Sequence, residues 1–345
     1  MELKQLRTDN TDFLVGFAES RIGGRAENQD SYGSAETGHG FLAVMCDGMG
    51  GGPGGKTASS IAVETIIQSV QEAQEDEELA NIVIKAIRNA NMAIIARASA
   101  EPQLKGMGST AVVALFTEES ALVAHVGDSR CYQIRGKKKV FRTFDHSMVF
   151  DLVKQGVITE EQARLSAQSN IITRALGIKP DVEVSIEEVF YQKGDRFLLC
   201  SDGIHGTMPE SALIEKLSNR KTALGALTDD IATGVDNAGR NGGGGHDNLT
   251  LLLIETKKNS LKEPPMNKKT KIIIAVLGVV CIASLILNIV LLSGDKKTES
   301  ATPATEQVNS PNDKDTEKEA SLKNADQGAK ADNADNTKSD NSETK

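Results

Sequence analysis

Apolar side chains in the first 256 residues recur in two registers. Short, nearly continuous runs bounded by glycine predict strands at about 12–19, 40–46, 110–116, 120–126, 130–135, 182–190, 195–200 and 249–255. Between the second and third of these the spacing changes to three and four. Ile61, Val63, Ile66, Ile67 and Val70 in "GKTASSIAVETIIQSVQEA" make one stripe. Ile82, Val83, Ala86, Ile87, Ala90, Ile94 and Ile95 in "ELANIVIKAIRNANMAIIARAS" make a second, so two long amphipathic helices are predicted. Further helices are expected over 209–218 and 222–239, and a shorter helical segment, "SMVFDLVKQGVI", follows "DHS" at 145–147. Strands, two helices, strands, a helical insertion, strands, two helices and a last strand form segregated runs. That order predicts an α+β fold rather than strict βα alternation. No internal repeat is present.

The pattern changes after residue 256. Residues 272–292, "IIIAVLGVVCIASLILNIVLL", carry no charge, with Ser284 and Asn288 as the only polar side chains. A run of this length spans a hydrocarbon core of roughly 30 Å as a helix. The competing reading, a buried core helix, fits neither the length nor the flanks. Lys257, Lys258, Lys262, Lys268, Lys269 and Lys271 precede the run, and Lys296 and Lys297 follow it. By the positive-inside rule the N-terminal side is cytoplasmic. The chain therefore divides into a domain (1–256), a basic juxtamembrane linker (257–271) with Pro264 and Pro265, a single transmembrane helix (272–292) and a tail (293–345). The tail is mostly Asp, Asn, Lys, Thr, Ala and Ser. It cannot bury enough apolar surface to offset chain entropy and is expected to be disordered outside the membrane.

Composition narrows the function. The net charge of −9 leaves no basic face for phosphate backbones, so nucleic acid is not an expected partner. Cys46, Cys131, Cys200 and Cys281 each sit in an apolar run without CxxC spacing, which reads as reduced core thiols rather than disulfides or a zinc site. The polar N-terminus, "MELKQLRTDN", has no apolar segment of the kind a signal peptide needs.

Candidate chemistry lies where strands end in acid. "FLAVMCDG" (41–48) and "FLLCSDG" (197–203) both close an apolar run with Asp-Gly, and "HDNLTLLLI" (246–254) opens one after Asp247. Asp128 closes "ALVAHVGD", and Asp30 follows "GGRAENQ". A lone Asp at a strand end is ordinary turn chemistry. Five of them, with no Cys or His at ligand spacing, form an oxygen-only set suited to Mg2+ or Mn2+. A second motif competes: "GGGPGGKT" (50–57) fits G-x-x-x-x-G-K-[ST] between a strand and a helix, the context of a P-loop NTPase. Asp47, just before those glycines, would face a polyphosphate, and the fold order is wrong for a parallel sheet.

Eight motifs together carry a family resemblance. "RAENQD" (25–30), "DGMGG" (47–51), "GMGSTAV" (106–112), "VGDSR" (126–130), "DHS" (145–147), "ITRALG" (172–177), "LLCSDG" (198–203) and "HDNLT" (246–250) resemble, in order and approximate spacing, the metal-dependent (PPM, type 2C) protein phosphatases. The likeness covers about residues 8–256 and is nearest to the bacterial Ser/Thr phosphatases that oppose Hanks-type kinases. It implies a four-layer sandwich of two antiparallel sheets flanked by helix pairs. It also implies hydrolysis of phosphoserine and phosphothreonine on proteins, a cognate Ser/Thr kinase among the substrates, and two Mn2+ or Mg2+ ions. Asp47 resembles the carboxylate bridging both metals, and Gly48 the carbonyl ligand of one. Asp202 and Asp247 match ligands of the other. Asp30 matches a residue acting through water, and Asp128 a ligand of a weaker third metal. Arg25 resembles the guanidinium that receives the phosphate, and 147–178 resembles the variable flap beside the cleft.

The implied mechanism is in-line attack by a metal-activated water, without a covalent phospho-enzyme. No Cys-x5-Arg loop is present to support one. Two positions depart from the eukaryotic pattern. Met49 stands where a histidine often serves as general acid, which leaves His205 and His246 as candidates, each more simply read as a loop histidine. Gln29 stands where an acid is common. A non-catalytic module that binds phosphoproteins at the membrane is the remaining rival, and five desolvated acids argue against it.

Overall fold

The apolar runs are continuous rather than alternating because both faces of each sheet are covered. The computed structural model describes residues 3–6, 13–50, 53–166, 168 and 171–262, and in the C-terminal run 276–277, 279–280, 282–286 and 288–289. Strands β1 (Lys4–Gln5), β2 (Leu14–Arg21), β3 (Asp30–Thr37) and β4 (Gly40–Met49) come first, then helices α1 (Pro53–Gln71) and α2 (Leu79–Ala100). Strands β5 (Gly108–Ser109), β6 (Ala111–Phe116), β7 (Ala121–Val126), β8 (Arg130–Arg135) and β9 (Lys138–Arg142) follow. Short helices α3 (Met148–Lys154) and α4 (Glu160–Arg164) lead to β10 (Ser185–Val189) and β11 (Arg196–Cys200). Helices α5 (Asp202–His205), α6 (Glu210–Ser218) and α7 (Leu224–Asn241) precede β12 (Leu249–Thr256).

The strands form two antiparallel sheets, ordered β1-β2-β12-β11-β8-β9 and β10-β7-β6-β4-β3, with β5 added to β4. Period two then sorts each strand's side chains between layers. From β4, Phe41, Ala43 and Met45 enter the core between the sheets, while Leu42, Val44 and Cys46 face the α1–α2 layer. From β11, Phe197 and Leu199 point between the sheets, and Leu198 and Cys200 pack with Leu213, Leu217, Leu227 and Ile231 of α6 and α7. Phe116 and Phe197 meet edge to face across the sandwich, 5.0 Å between centroids. The result is a helix–sheet–sheet–helix stack, as the resemblance implies. Cys46, Cys131 and Cys200 are free and buried in it, and burial raises each thiol above its usual range.

All eight expected strands form, and the ends of the four longer helices move by one or two residues, within ordinary fraying, while the segment expected to run to residue 158 ends as α3 at Lys154. The pattern missed β3 and β9, the two-residue strands β1 and β5, and the short helices α4 and α5. β3 is polar because it is an edge strand. Gly33 within it lies so close under α1 that a Cβ there would meet Ile67 and Val63 at 2.7 and 2.8 Å. β9 is an edge of the other sheet and largely exposed.

Residues 257–262 still belong to the body. Their backbone N–H groups donate from Lys257 to the Phe13 carbonyl, from Ser260 to Tyr191, from Leu261 to Glu118 and from Lys262 to Glu119. The chain divides into two compact units, Met1–Asn267 and Lys268–Lys345. In the second, the described positions between 276 and 289 are helical, with Val276, Val279, Ile282, Leu285 and Ile289 exposed. The Ser284 hydroxyl donates back to the Val280 carbonyl at 2.9 Å. The tail at 293–345, Cys281 and the linker from 263 to 271 lie outside the described residues. Among the described residues α2 is the one helix long and apolar enough to cross a membrane, and its Ile82, Ile87 and Ile94 are buried in the core instead.

Truncating the inter-sheet core tests this layering. Phe197→Ala should lower unfolding stability by about 3–5 kcal/mol, whereas Val140→Ala on exposed β9 should stay within about 0.5 kcal/mol. Urea titration of both variants separates the two expectations.

Candidate active site

Strand register gathers the acids. Asp30 sits directly opposite Asp47 across β3 and β4. β6 begins where β4 ends, with Val112 opposite Met45, and β7 ends beside the start of β6, with Val126 opposite Ala111. Asp128, two residues past β7, therefore reaches the same edge. In the other sheet Cys200 faces both Leu251 and Arg130, so the end of β11 meets the starts of β12 and β8. Asp202 and Asp247 flank that meeting point. The loop from β2 to β3 crosses between the sheets there and carries Arg25.

The two Asp-Gly endings have a steric cause that the sequence reading did not foresee. A Cβ on Gly48 would lie 2.0 Å from the Gly55 carbonyl oxygen, and one on Gly203 would lie 2.0 Å from the Asn248 carbonyl oxygen. Each glycine lets a neighbouring backbone pass directly behind its aspartate. Asp47 is pinned from both sides: its N–H donates to Thr110 Oγ1 at 2.9 Å, and its carbonyl accepts from the Thr110 N–H at 2.8 Å and the Ser109 hydroxyl at 3.0 Å.

The carboxylates are crowded and poorly solvated. Asp30 is 2% exposed; its Oδ2 accepts from the Ser201 hydroxyl at 3.0 Å, while its Oδ1 is buried without a partner. Asp202 Oδ1 is likewise buried and unpartnered, and Asp202 is within hydrogen-bond reach of Asp47. Burial raises all four inner acids, and the charges of neighbouring carboxylates add to it. Asp30 is pushed to about 7, Asp202 to about 6 and Asp128 to about 8, and Asp47 stands well above its ordinary range. Arg25, about half exposed, donates from Nη2 to Asp247 Oδ2 at 2.7 Å.

Among the described residues no three acid, His or Cys side chains are already closed to ligand spacing. The acids nonetheless feel one another's charge, and two buried oxygens lack donors. An all-oxygen set with orphaned buried acceptors fits hard divalent cations.

The candidate acids for the leaving group are otherwise engaged. His205 is buried, held neutral by burial, and donates from Nε2 to the Asp128 carbonyl at 3.0 Å. His246 bonds Asp236 Oδ1 of α7 at 2.9 Å, its ring stacked so tightly on Gly239 that a Cβ there would meet it at 2.2 Å. Met49 pairs with Gly108 across β4 and β5. The Gln29 backbone carbonyl accepts from the Gly48 N–H and the Ser59 hydroxyl. Lys56 does not point into a phosphate loop: it donates to the Asp30 carbonyl at 2.9 Å and to Ser31 Oγ at 3.1 Å. With antiparallel sheets around it, the P-loop reading has no support.

One residue of consequence was missed. Buried Asn248 donates from Nδ2 to the Ile22 and Glu27 carbonyls at 2.8 and 2.9 Å, and its Oδ1 accepts from the Gln29 N–H at 2.9 Å. It staples the Arg25 loop to the start of β12, and its adjacency to Asp247 was the only available signal. Beside the acids, a cavity of about 80 Å³ is lined by Asp128, Arg130, Asp145, Phe150, Arg164 and His205, where α3 and α4 cover the edge.

The protein phosphatase 2C family profile matches residues 19–240. The serine/threonine phosphatase stp of Listeria monocytogenes is 35% identical over 236 residues, covering 68% of this chain and 88% of that relative. The S. agalactiae serine/threonine phosphatase structure superposes with a TM-score of 0.65 at 29% identity, over 71% of this chain and 100% of that one. The catalytic domain of serine threonine protein phosphatase PstP, solved with two manganese ions, gives a TM-score of 0.60 at 30% identity, over 71% of this chain and 99% of that one.

The raised acids fix a sign. The folded chain holds their protons more tightly than the unfolded chain, so their contribution to stability is lost as pH rises through the folded values. Buried neutral His125, His146 and His205 act oppositely, but only below the unfolded histidine range near pH 6.5. In chelator, the thermal midpoint should therefore fall between about pH 7 and 8.5, and saturating Mn2+ should remove that fall. A midpoint that is flat or rising in chelator contradicts it.

Proposed function

This chain belongs to the protein phosphatase 2C family and is a protein serine/threonine phosphatase, and from that premise we propose where and with which residues it works. It uses two divalent cations, Mn2+ or Mg2+. When bound, such ions acidify a water toward neutrality and offset charge on the phosphoryl oxygens. In the proposed assignment Asp47 and the Gly48 carbonyl would help to hold the cations. Asp202 and Asp247 would hold them with Asp47, Asp30 would support them from behind, and Asp128 would hold a weaker third ion. Convergence of Asp30 and Asp47 from one sheet with Asp202 from the other at one end of the sandwich, with two buried oxygens unpartnered, supports this reading.

Arg25 receives the phosphate. Its planar fork suits two phosphate oxygens, and its half-exposed position lets it exchange the Asp247 oxygen for substrate. Asn248 holds the loop that presents it. The leaving serine or threonine oxygen takes its proton from solvent in the cleft, because Met49 cannot donate and His205 and His246 are fixed elsewhere. The segment 147–178, including α3 and α4, borders this edge and contributes to substrate choice.

We place the enzyme at the cell membrane, held by a single span at 272–292, with the phosphatase domain in the cytoplasm and the tail outside. Exposed Val276, Val279, Ile282, Leu285 and Ile289 on the described helical positions support this, as does the lysine bias before the run. Phosphorylated proteins are the substrates, a cognate Ser/Thr kinase among them.

The purified chain should release phosphate from a phosphothreonine peptide with Mn2+ and not in excess chelator. Asp47→Asn and Asp202→Asn should each lower kcat by at least about 10²-fold, and Arg25→Ala should lower kcat/KM by a similar factor. Stoichiometric phosphopeptide binding without turnover at saturating Mn2+ would favour the non-catalytic module. Separately, the chain should resist carbonate extraction from membranes, and deletion of 272–292 should release it. A soluble full-length chain contradicts the anchor.

A further inference from the structure

Lys56 occupies an unfavourable place for a cation. It lies in the first turn of α1, where the helix dipole is already positive, and that turn has no acid to offset it. Its ammonium is turned onto β3 rather than into solvent, on the Asp30 carbonyl and Ser31 Oγ. The Asp30 N–H and carbonyl face away from β4: Asn28 Oδ1 takes the first and Lys56 the second. Ser31 Oγ in turn bonds Ser59 Oγ at 2.8 Å, and the Ser59 hydroxyl donates to the Gln29 carbonyl, which also holds the Gly48 N–H. A fixed positive charge is thus tied by short bonds to the backbone of the acid cluster. Asp30, Asp47 and Asp202 repel one another there, and Arg25 pairs with Asp247.

We propose that Lys56 is a built-in counter-ion of the acidic site, stabilising the cluster before divalent cations bind and lowering its affinity for them. The inference rests on the assignment of Asp47, Asp202 and Asp247 as cation ligands. Its physical basis is simple: a tethered positive charge beside a site attracts the carboxylates and repels an incoming divalent ion. With the ammonium held on the Asp30 carbonyl, the site is tuned to fill only when divalent cations are plentiful.

The test is calorimetric titration of Mn2+ into the full chain in detergent, as wild type, Lys56→Met, Lys56→Gln and Lys56→Arg. Glutamine keeps a donor for the Asp30 carbonyl but removes the charge, so it separates electrostatics from positioning. Methionine and glutamine variants should bind Mn2+ about three- to tenfold more tightly than wild type, and arginine should match wild type. Their thermal midpoints should drop in chelator and recover with saturating Mn2+. Unchanged or weaker Mn2+ binding by Lys56→Gln overturns the counter-ion role. A wild-type chain that takes up no Mn2+ overturns the ligand assignment beneath it, and the proposal with it.

Discussion

Mutual repulsion among buried carboxylates is the constraint that the domain is built around. Asp30, Asp47, Asp128 and Asp202 lie where burial alone disfavours their charge, and each adds to the strain on the next. Isolated, such a cluster would splay apart or protonate. It is held because the register of β3 on β4 leaves Asp30 facing Asp47, and because the backbone passes behind Asp47 and Asp202 too closely for any residue but glycine at 48 and 203. The cost is carried by apolar layers well away from the site. The inter-sheet core around Phe116 and Phe197 fixes the strands whose ends bear the acids.

Under the proposed assignment, function follows from placing an exposed cationic group beside that buried edge. Arg25 rides on a loop between the two sheets, half exposed, while buried Asn248 fixes the loop at both ends. Buried acids beside a half-exposed guanidinium suit the proposed site, which must bind phosphate and let it go. The histidines are built into the scaffold instead, on the Asp128 carbonyl and on Asp236.

The sheets were legible in the sequence because helices cover their outer faces, so whole strands are apolar. β3 escaped notice for the opposite reason: as an edge it reads "DSYGSAET". The acid set was legible because Asp47, Asp128, Asp202 and Asp247 each border an apolar run, whereas Asp30, after "GGRAENQ", was given its role beside them by the resemblance. What holds the acids was not. Asn248 bonds Gln29, and Ser201 bonds Asp30, across 219 and 171 residues, and no local pattern announces such partners. Lys56 was visible but misleading: its glycine-rich setting suggested phosphate, whereas the fold turns it back onto Asp30.

Anomalous diffraction at the manganese edge from crystals grown with Mn2+ tests the central claim most directly. Two strong peaks within ligand distance of Asp47, with Asp202 and Asp247 around one of them, are the expected result. A map with no peak at that edge, or with manganese bound only elsewhere, would contradict the account.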